Sequence, residues 1–304
     1  MKKVCVLLST FNGEKYLEEQ IESLLIQQNI KLHIIARDDG SSDSTVEILK
    51  KYSDKYDNFE YYQGSNVRPA KSFFDLIVHA PEADYYAFCD QDDVWDKDKL
   101  YVAVCMLEKE DNKKPNMYYS NLRIVDQNLN FYRLSHVQPS IQDNKYSCLT
   151  EDMATGCTVV FNKVAAEYVR SGTPEYCSMH DTWIYMICKF FGTTVYDFEA
   201  HISYRQHGNN VVGTYLGKKN FDIYVKRFLR LFDRKLQPRY NNAKNFYKTF
   251  GERLEINDKK KVLELVEYKD SFRKKITLLK DKEIHASSKS REMRYRGLIM
   301  LGIV

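Results

Sequence analysis

The stretch YYAFCDQDDVWDKDKL, residues 85–100, joins an apolar run to a cluster of carboxylates. Its first five residues form the continuous apolar pattern of a strand that is covered on both faces of a sheet. Asp90, Asp92 and Asp93 follow directly. Carboxylates this close repel one another and raise each other's pKa unless a cation lies among them. The stretch therefore predicts either a metal site at a strand end or a solvated acidic turn that opens the next helix. An EF-hand calcium loop is not indicated, because the stretch lacks the glycine and the distal glutamate of that loop.

The chain is long enough for one large domain, or for a domain with an appendage. It has 304 residues, of which 43% are hydrophobic and 13% aromatic, enough for a large core. Its seven cysteines are scattered without a C-x-x-C pair, which predicts reduced thiols and a reducing compartment. The apolar stretch at residues 4–8 is too short for a signal peptide, and no apolar run approaches 18 residues, so no membrane span is predicted.

Strand and helix patterns alternate over the first 110 residues. Strands are predicted at 4–8, 32–36, 59–63 and 85–89, with helices between them. One helix is expected to open at a capping box, Ser44-Thr45-Val46-Glu47. This alternation predicts βαβ units and an α/β fold with a mainly parallel sheet flanked by helices.

The pattern is looser after residue 110. Strands are predicted at 117–122 and 157–161, and a helix is predicted over 180–192. A last strand is expected to end in the polar loop of HISYRQHGNN, residues 201–210.

Polar clusters follow three of the predicted strands, at 9–12, 38–41 and 90–93. Because ligands of open α/β sheets bind at the carboxyl ends of the strands, we expect these clusters to meet in one site. The chain has neither G-x-G-x-x-G nor G-x-x-x-x-G-K-[ST], so neither a dinucleotide nor a P-loop phosphate site is indicated.

Six motifs resemble, in order, those of one enzyme family. They are VLLSTFNGEKYLEEQIESLL, ARDDGSSDST, AFCDQDDVWDKDKL, TGCTVVFNK, HDTWI and YRQHGNN. Together they resemble the inverting family 2 glycosyltransferases, and most closely a bacterial rhamnosyltransferase-like branch with D-Q-D-D-[IV]-W, G-C-T and H-D-x-W elements. The resemblance covers residue 2 to about residue 215. It implies the GT-A fold, a Rossmann-like sheet flanked by helices, followed here by a helical appendage.

The resemblance also implies how a pyrimidine nucleotide-sugar would be held. Asp39 would accept a hydrogen bond from N3–H of the base, with the backbone of Thr10 and Phe11 beside the ring; a helix cap is the alternative role for Asp39. Asp90 and Asp92 match the family's D-x-D motif. Asp92 would bind Mg²⁺ or Mn²⁺, and Asp90 would contact the ribose or the metal.

The other implied residues lie around the reacting groups. Asp181 matches the family's catalytic base, which takes a proton from the acceptor hydroxyl as that oxygen attacks the anomeric carbon and inverts it; a helix N-cap is the alternative. Thr155 and Gly156 would line the acceptor side. His207 would be a further metal ligand or a structural histidine, and Arg205 would contact a phosphate.

Two basic residues fall in the loop that would cover the diphosphate. Lys71 lies where the family often has a basic residue near the phosphates. Arg68 departs from the family, which usually has glycine there. Its side chain is expected to reshape the loop or to add a diphosphate contact.

Charge divides the chain into two parts. Residues 1–218 hold 23 Lys and Arg against 31 Asp and Glu, whereas residues 219–304 hold 23 against 11. We therefore expect a catalytic domain over 1–218 and a basic helical region over 219–304. An apolar stripe at helical spacing runs through a basic segment of that region: Phe221, Tyr224, Val225, Phe228, Leu229 and Phe232.

The basic region has two predicted roles. Its helix either packs on the catalytic domain or binds an anionic membrane surface, where a lipid-linked acceptor would lie. No recognised binding motif accompanies the charge, so no nucleic-acid partner is expected. We accordingly expect a cytoplasmic protein that is peripheral at the inner face of the cell membrane.

The sequence thus predicts a metal-dependent inverting glycosyltransferase. It would move a sugar such as rhamnose from a UDP- or dTDP-sugar, both of which present N3–H, to a hydroxyl of a cell-surface polysaccharide or lipid-linked oligosaccharide. A sugar-phosphate nucleotidyltransferase is one alternative, but STFNGEKY does not supply its glycine-rich triphosphate loop. A non-catalytic nucleotide-sugar binding module is the other, and the presence of both the D-x-D motif and Asp181 argues against it.

Overall fold

The computed structural model of the chain describes residues 1–136, 144–207 and 237–304. Its strands are Lys3–Thr10 (β1), Lys31–Asp38 (β2), Phe59–Gln63 (β3), Tyr85–Cys89 (β4), Val94–Trp95 (β5), Asn116–Val125 (β6), Phe131–Leu134 (β7), Val160–Asn162 (β8) and Thr193–Arg205 (β9). In the described residues these strands form one sheet in the order β3–β2–β1–β4–β8–β6–β9–β5, with β7 paired to β6.

Helices cover both faces of the sheet and extend beyond it at the C-terminal end. They are Leu17–Leu25 (α1), Thr45–Lys55 (α2), Pro69–His79 (α3), Lys99–Leu107 (α4), Lys163–Ser171 (α5), His180–Phe191 (α6), Pro238–Phe250 (α7), Ile256–Glu267 (α8), Phe272–Lys280 (α9) and Lys289–Leu301 (α10). Short 3₁₀ turns occupy Lys145–Leu149, Gly156–Thr158 and Gly251–Arg253.

The N-terminal half is the parallel βαβ sheet that the alternating pattern predicts. Strand β1 pairs in parallel with β2 and β4, and β2 pairs in parallel with β3. The register sets Thr10 opposite Asp38 and Leu8 opposite Cys89. The polar residues that follow these strands therefore meet at one edge of the sheet.

The second half of the sheet is mixed. Strand β8 is antiparallel to both β4 and β6, whereas β9 is parallel to β6 and antiparallel to β5. The strand predicted at 157–161 begins only at Val160, because Gly156–Thr158 forms a 3₁₀ turn closed by the Thr158 N–H, which donates to the Thr155 carbonyl at 2.8 Å. The helix predicted over 180–192 is confirmed as α6.

The predicted capping box of α2 is wrong, although the helix begins where expected. Ser44 makes no side-chain cap hydrogen bond. Asp43 takes the role instead: its Oδ1 accepts from the backbone N–H of Thr45 at 3.1 Å and from the Thr45 hydroxyl at 2.5 Å. Glu14 Oε2 accepts from the backbone N–H of Ser44 at 3.0 Å. Two carboxylates from outside the predicted box therefore bind N–H groups at the start of the helix, and Glu14 takes the Ser44 N–H that Glu47 would have met.

The C-terminal helices share a hydrophobic core with the sheet. One core cluster combines residues of β1, β4, α3, α5 and α6 with residues of α7 to α10. The ring of Phe246 lies 5.4 Å from Trp183 and 5.2 Å from Phe190, centroid to centroid. In residues 237–304 the helical appendage is thus packed on the catalytic part of the chain.

The apolar stripe from Phe221 to Phe232 and the predicted boundary after residue 218 lie outside the described residues. Among the described helices, none has the length and apolar composition that a bilayer crossing requires.

Candidate active site

A cavity of about 880 Å³ lies where β1, β2 and β4 end. It brings together ten of the predicted site residues: Thr10, Phe11, Asp39, Arg68, Asp90, Asp92, Thr155, Gly156, Asp181 and His207. The cavity thus collects residues from six sequence motifs that are separated by up to two hundred positions.

Gln91 ties the loop after β1 to the loop after β4. Its Oε1 accepts from the backbone N–H of Phe11 at 2.8 Å, and its Nε2 donates to the Phe11 carbonyl at 3.0 Å. A Cβ at Gly13 would lie 2.3 Å from Gln91 Oε1, so only glycine permits this contact. Sequence reasoning missed Gln91, and its one signal was its place between two motif aspartates.

The two adjacent aspartates after β2 have different environments. Asp38 is fully buried and closes the turn, because its Oδ2 accepts from the backbone N–H groups of Gly40 and Ser41 at 3.1 and 2.9 Å. Asp39 lines the cavity and accepts from the backbone N–H of Val67 at 3.3 Å. The carboxylate predicted to contact a base is therefore the one that faces the cavity.

Arg37 holds Asp39 in place, and sequence reasoning missed it. Its buried guanidinium forms an ion pair with Asp39. On its other side Nε donates to Asp75 Oδ2 at 2.9 Å, and Asp75 also accepts from the Tyr62 hydroxyl at 2.8 Å. Charge-assisted bonds of this kind fix the direction of a carboxylate more firmly than neutral ones.

The three carboxylates of the acidic cluster point in different directions. Asp92 Oδ2 lies 2.7 Å from His207 Nε2, and both residues line the cavity. Asp90 also lines it, and burial, with the negative charges of Asp92 and Asp181, raises its pKa to about 7. Asp93 has no exposed surface and turns inward, where it accepts from the backbone N–H of Arg205 at 3.0 Å.

This donor set suits a divalent cation. Asp92 and His207 offer a carboxylate oxygen and an imidazole nitrogen side by side, and Asp90 lines the same cavity. Mn²⁺ and Mg²⁺ both accept oxygen ligands, and Mn²⁺ also accepts imidazole. A second group, Asp90, Asp93 and Cys157, has ligand atoms within 4.8 Å of one another. It fits less well, because Asp93 and Cys157 are fully buried and do not line the cavity.

Asp181 lies in the first turn of α6, facing the cavity. Its Oδ1 accepts from the backbone N–H of Thr182 at 2.7 Å, whereas the N-cap position of the helix belongs to Met179. Burial, followed by the charge of Asp152, raises the pKa of Asp181 to about 7. A carboxylate with a pKa near neutrality is suited to accept and release a proton.

Asp152 and Arg239 form an ion pair at the cavity wall that sequence reasoning missed. Arg239 Nη1 and Nη2 donate to the two carboxylate oxygens of Asp152 at 2.5 and 2.7 Å. Asp152 also accepts from the Thr182 hydroxyl at 2.7 Å. Arg239 lies on α7, so the C-terminal region contributes directly to the surroundings of Asp181.

Two predicted phosphate contacts do not line the cavity. The Arg205 guanidinium donates to the carbonyls of Asp92 and Gln127 at 2.9 and 2.6 Å, and it pairs with Glu19. These bonds hold the loop of Asp92, and a phosphate contact of Arg205 stays a prediction. Lys71 is exposed on α3, outside the cavity wall.

Arg68 has a strained backbone at the cavity mouth. Its φ of 71° and ψ of 158° lie in a region that is essentially restricted to glycine. The position where the resemblance implies glycine therefore has a backbone conformation that favours glycine, although arginine occupies it.

Comparisons with known proteins identify the family and the fold of the chain. The family model described as Glycosyl transferase family 2 matches residues 5–169, a span that includes Asp39, Asp92 and Gly156. The chain is 28% identical over 234 residues to a dTDP-rhamnosyl transferase of Shigella flexneri, RfbG, covering 70% of this chain and 75% of that one.

Solved structures share the fold. TarS of S. aureus in complex with UDP-GlcNAc aligns with a TM-score of 0.61 at 17% identity, over 99% of this chain and 82% of that one. The mannosyltransferase PcManGT from Pyrobaculum calidifontis, in complex with GDP-Man and Mn²⁺, aligns with a TM-score of 0.53 at 14% identity, over 98% and 79%.

Proposed function

The chain belongs to glycosyl transferase family 2 and is a glycosyltransferase with the GT-A fold, and on that premise we propose that it is a metal-dependent inverting enzyme that uses a pyrimidine nucleotide-sugar. One observation carries the proposal. A single cavity holds Asp39 for the base, Asp92 with His207 for a cation, and Asp181 for the acceptor proton.

The donor half of the cavity is built for a uracil or thymine base. Asp39 accepts hydrogen bonds, is held in direction by Arg37, and would receive N3–H. The backbone of Thr10 and Phe11, fixed by Gln91, would flank the ring. The name of the S. flexneri relative makes dTDP-rhamnose the first donor to test.

Asp92 and His207 would hold a divalent cation, with Asp90 beside them. When bound, the cation offsets the negative charge of the leaving nucleoside diphosphate. Arg68 would add a positive charge at the other side of the diphosphate, because it lines the same cavity from the loop before α3.

Asp181 is the proposed base. In its ionised form it takes the proton of an acceptor hydroxyl, and the hydroxyl oxygen bonds to the anomeric carbon while the bond from that carbon to the diphosphate oxygen breaks. Attack opposite the leaving group inverts the anomeric configuration. The acceptor side would be lined by Thr155 and Gly156, which line the same cavity; Gly156 lies beside Asp181, since a Cβ there would be 3.6 Å from Asp181 Oδ2.

A donor screen tests the proposal. Thermal shift with UDP-, dTDP- and GDP-sugars, each with and without Mn²⁺, should show stabilisation by a uridine or thymidine donor that Mn²⁺ increases. Stabilisation by guanosine donors alone would contradict the role of Asp39. A nucleotidyltransferase would release pyrophosphate from a nucleoside triphosphate and sugar phosphate, and a binding module would bind donors without transfer or hydrolysis.

The acceptor is proposed to be a hydroxyl of a cell-surface polysaccharide or of a lipid-linked oligosaccharide at the cytoplasmic face of the membrane. Residues 219–304 carry a net charge of +12, and each basic residue near an anionic surface contributes about 1 kcal/mol of binding. Flotation with anionic and neutral vesicles tests this: the protein should float with anionic vesicles at low salt only. Phe228→Asp with Phe232→Asp should abolish flotation; absence of flotation at low salt would contradict membrane binding.

A further inference from the structure

His180 is a buried polar group in the cavity wall that the proposed chemistry leaves unused. It is 2% exposed and lines the cavity beside Asp181. Within the part of the chain that the structure describes, neither Nδ1 nor Nε2 has a hydrogen-bond partner. Buried polar groups nearly always have a partner in the protein, in ordered water or in a ligand, so an imidazole with two unmet nitrogens at a cavity points to a ligand.

Three neighbours fix the position of the imidazole. It stacks on Phe73 at 3.8 Å and 29°, and the ring of Phe88 meets it edge-on at 4.4 Å and 82°. On a third side, a Cβ at Gly156 would lie 2.7 Å from Nε2, so glycine is needed for the imidazole to fit. A side chain held this firmly is pre-organised for a directional contact.

The chemistry of this imidazole matches a hydroxyl. Burial lowers the pKa of His180 to about 3, so the ring is neutral at physiological pH. A neutral imidazole offers one N–H donor and one nitrogen acceptor, and a sugar hydroxyl both donates and accepts. A phosphate accepts only and favours cationic partners, which makes it the poorer match.

His180 lies between the two sides of the cavity, with Gly156 of the proposed acceptor side against Nε2 and two aromatic rings of the donor side against the imidazole. Phe88 lies two residues before Asp90, and Phe73 lies on α3, directly after the loop of Arg68. Both elements belong to the half of the cavity that would hold the nucleotide-sugar. We propose that His180 hydrogen-bonds a ring hydroxyl of the donor sugar and is a specificity-determining residue for that sugar; this rests on the proposed function.

Calorimetry without acceptor tests the assignment. The probes are dTDP against dTDP-rhamnose and UDP against UDP-GlcNAc, all with Mn²⁺. His180→Phe should weaken binding of the preferred nucleotide-sugar about three- to tenfold, the range for one neutral hydrogen bond, and leave the nucleoside diphosphate unchanged. His180→Gln, which keeps a donor and an acceptor, should restore part of the loss. His33→Phe is the matched control, since His33 contacts Glu60 on β3 and does not line the cavity.

Each other outcome has a clear meaning. Unchanged nucleotide-sugar affinity in both His180 variants would overturn the proposal and leave a water as the partner. If a separate transfer assay gave a higher KM for the acceptor while calorimetry gave an unchanged donor affinity, the donor assignment would be overturned. If His180→Phe also weakens nucleoside diphosphate binding, that substitution disturbs the whole site. The donor affinity of His180→Gln then tests the proposal. Failure of the proposed function can be told apart from failure of this proposal, because the wild-type protein would then bind none of the four probes.

Discussion

Replacement of Arg68 by glycine is expected to stabilise the fold and weaken donor binding at once. The backbone of Arg68, at φ 71° and ψ 158°, costs about 1–3 kcal/mol for a residue with a Cβ. Glycine removes that cost but gives the unfolded chain about 0.4–1 kcal/mol of extra conformational freedom. The net gain is about 1 kcal/mol. With about 2.1 cal/mol/K of unfolding entropy per residue over 304 residues, it raises Tm by roughly 1.5 °C.

The loss in binding comes from the guanidinium. A hydrogen bond to a charged group contributes about 1.5–3 kcal/mol when shielded from water. Arg68 is exposed, so solvent screening reduces this to about 1 kcal/mol. A loss of that size corresponds to a roughly fivefold higher Kd for UDP or dTDP.

Thermal unfolding without ligand and calorimetry with Mn²⁺ measure the two effects separately. Arg68→Ala is the matched control, because it removes the guanidinium but keeps the Cβ. It should bind as weakly as the glycine variant without the gain in Tm. The reasoning is refuted if the glycine variant is no more stable than wild type, or if the alanine variant binds nucleoside diphosphate as wild type does.

Four further results are expected. In calorimetry, Asp92→Asn should lose most of the Mn²⁺-dependent part of nucleoside diphosphate affinity; unchanged dependence would place the cation elsewhere. Asp152→Asn should lower the pH at which transfer is half-maximal, because it removes a negative charge that raises the pKa of Asp181; if that pH does not change, the titrating group is not Asp181. Asp181→Asn should slow transfer by about 10²–10⁴-fold. It should also raise Tm at pH 8 but not at pH 4, since a carboxyl whose pKa rises from 3.8 to about 7 on folding destabilises the fold only as pH increases through that window. Phe246→Ala should cost about 3–5 kcal/mol in urea unfolding; a loss below 1 kcal/mol would mean that its packing on Trp183 adds little.

Local pattern predicts much of this fold because each early element is short, apolar and bounded by polar residues. The strand at 59–63 was predicted to the residue, and α6 to within one residue. The wrong predictions fall where two residues compete to cap a helix or where a turn competes with a strand. At α2, Asp43 outcompetes Ser44 for the first N–H groups, and at Gly156 a 3₁₀ turn delays a strand that composition alone would begin earlier.

The site residues are named mostly through the resemblance of their motifs to those of a family; the aspartates at the end of the buried strand also stand out by their chemistry alone. The residues that sequence reasoning missed act through partners far along the chain. Arg37 connects Asp39 to Asp75, and Arg239 is separated from Asp152 by 87 positions. Without a structure, an arginine in a basic C-terminal region has no feature that distinguishes it from its neighbours.

Arg239 connects the C-terminal region to the proposed base Asp181. A carboxylate with the ordinary pKa of 3.8 would be a weak base, and burial together with the charge of Asp152 raises the pKa of Asp181 to about 7. Arg239 is 17% exposed and neutralises Asp152, so it limits how far that pKa rises. The helices from residue 237 onward therefore complete the surroundings of the proposed base. A chain cut at residue 218 would lose both that arginine and the aromatic packing on α6.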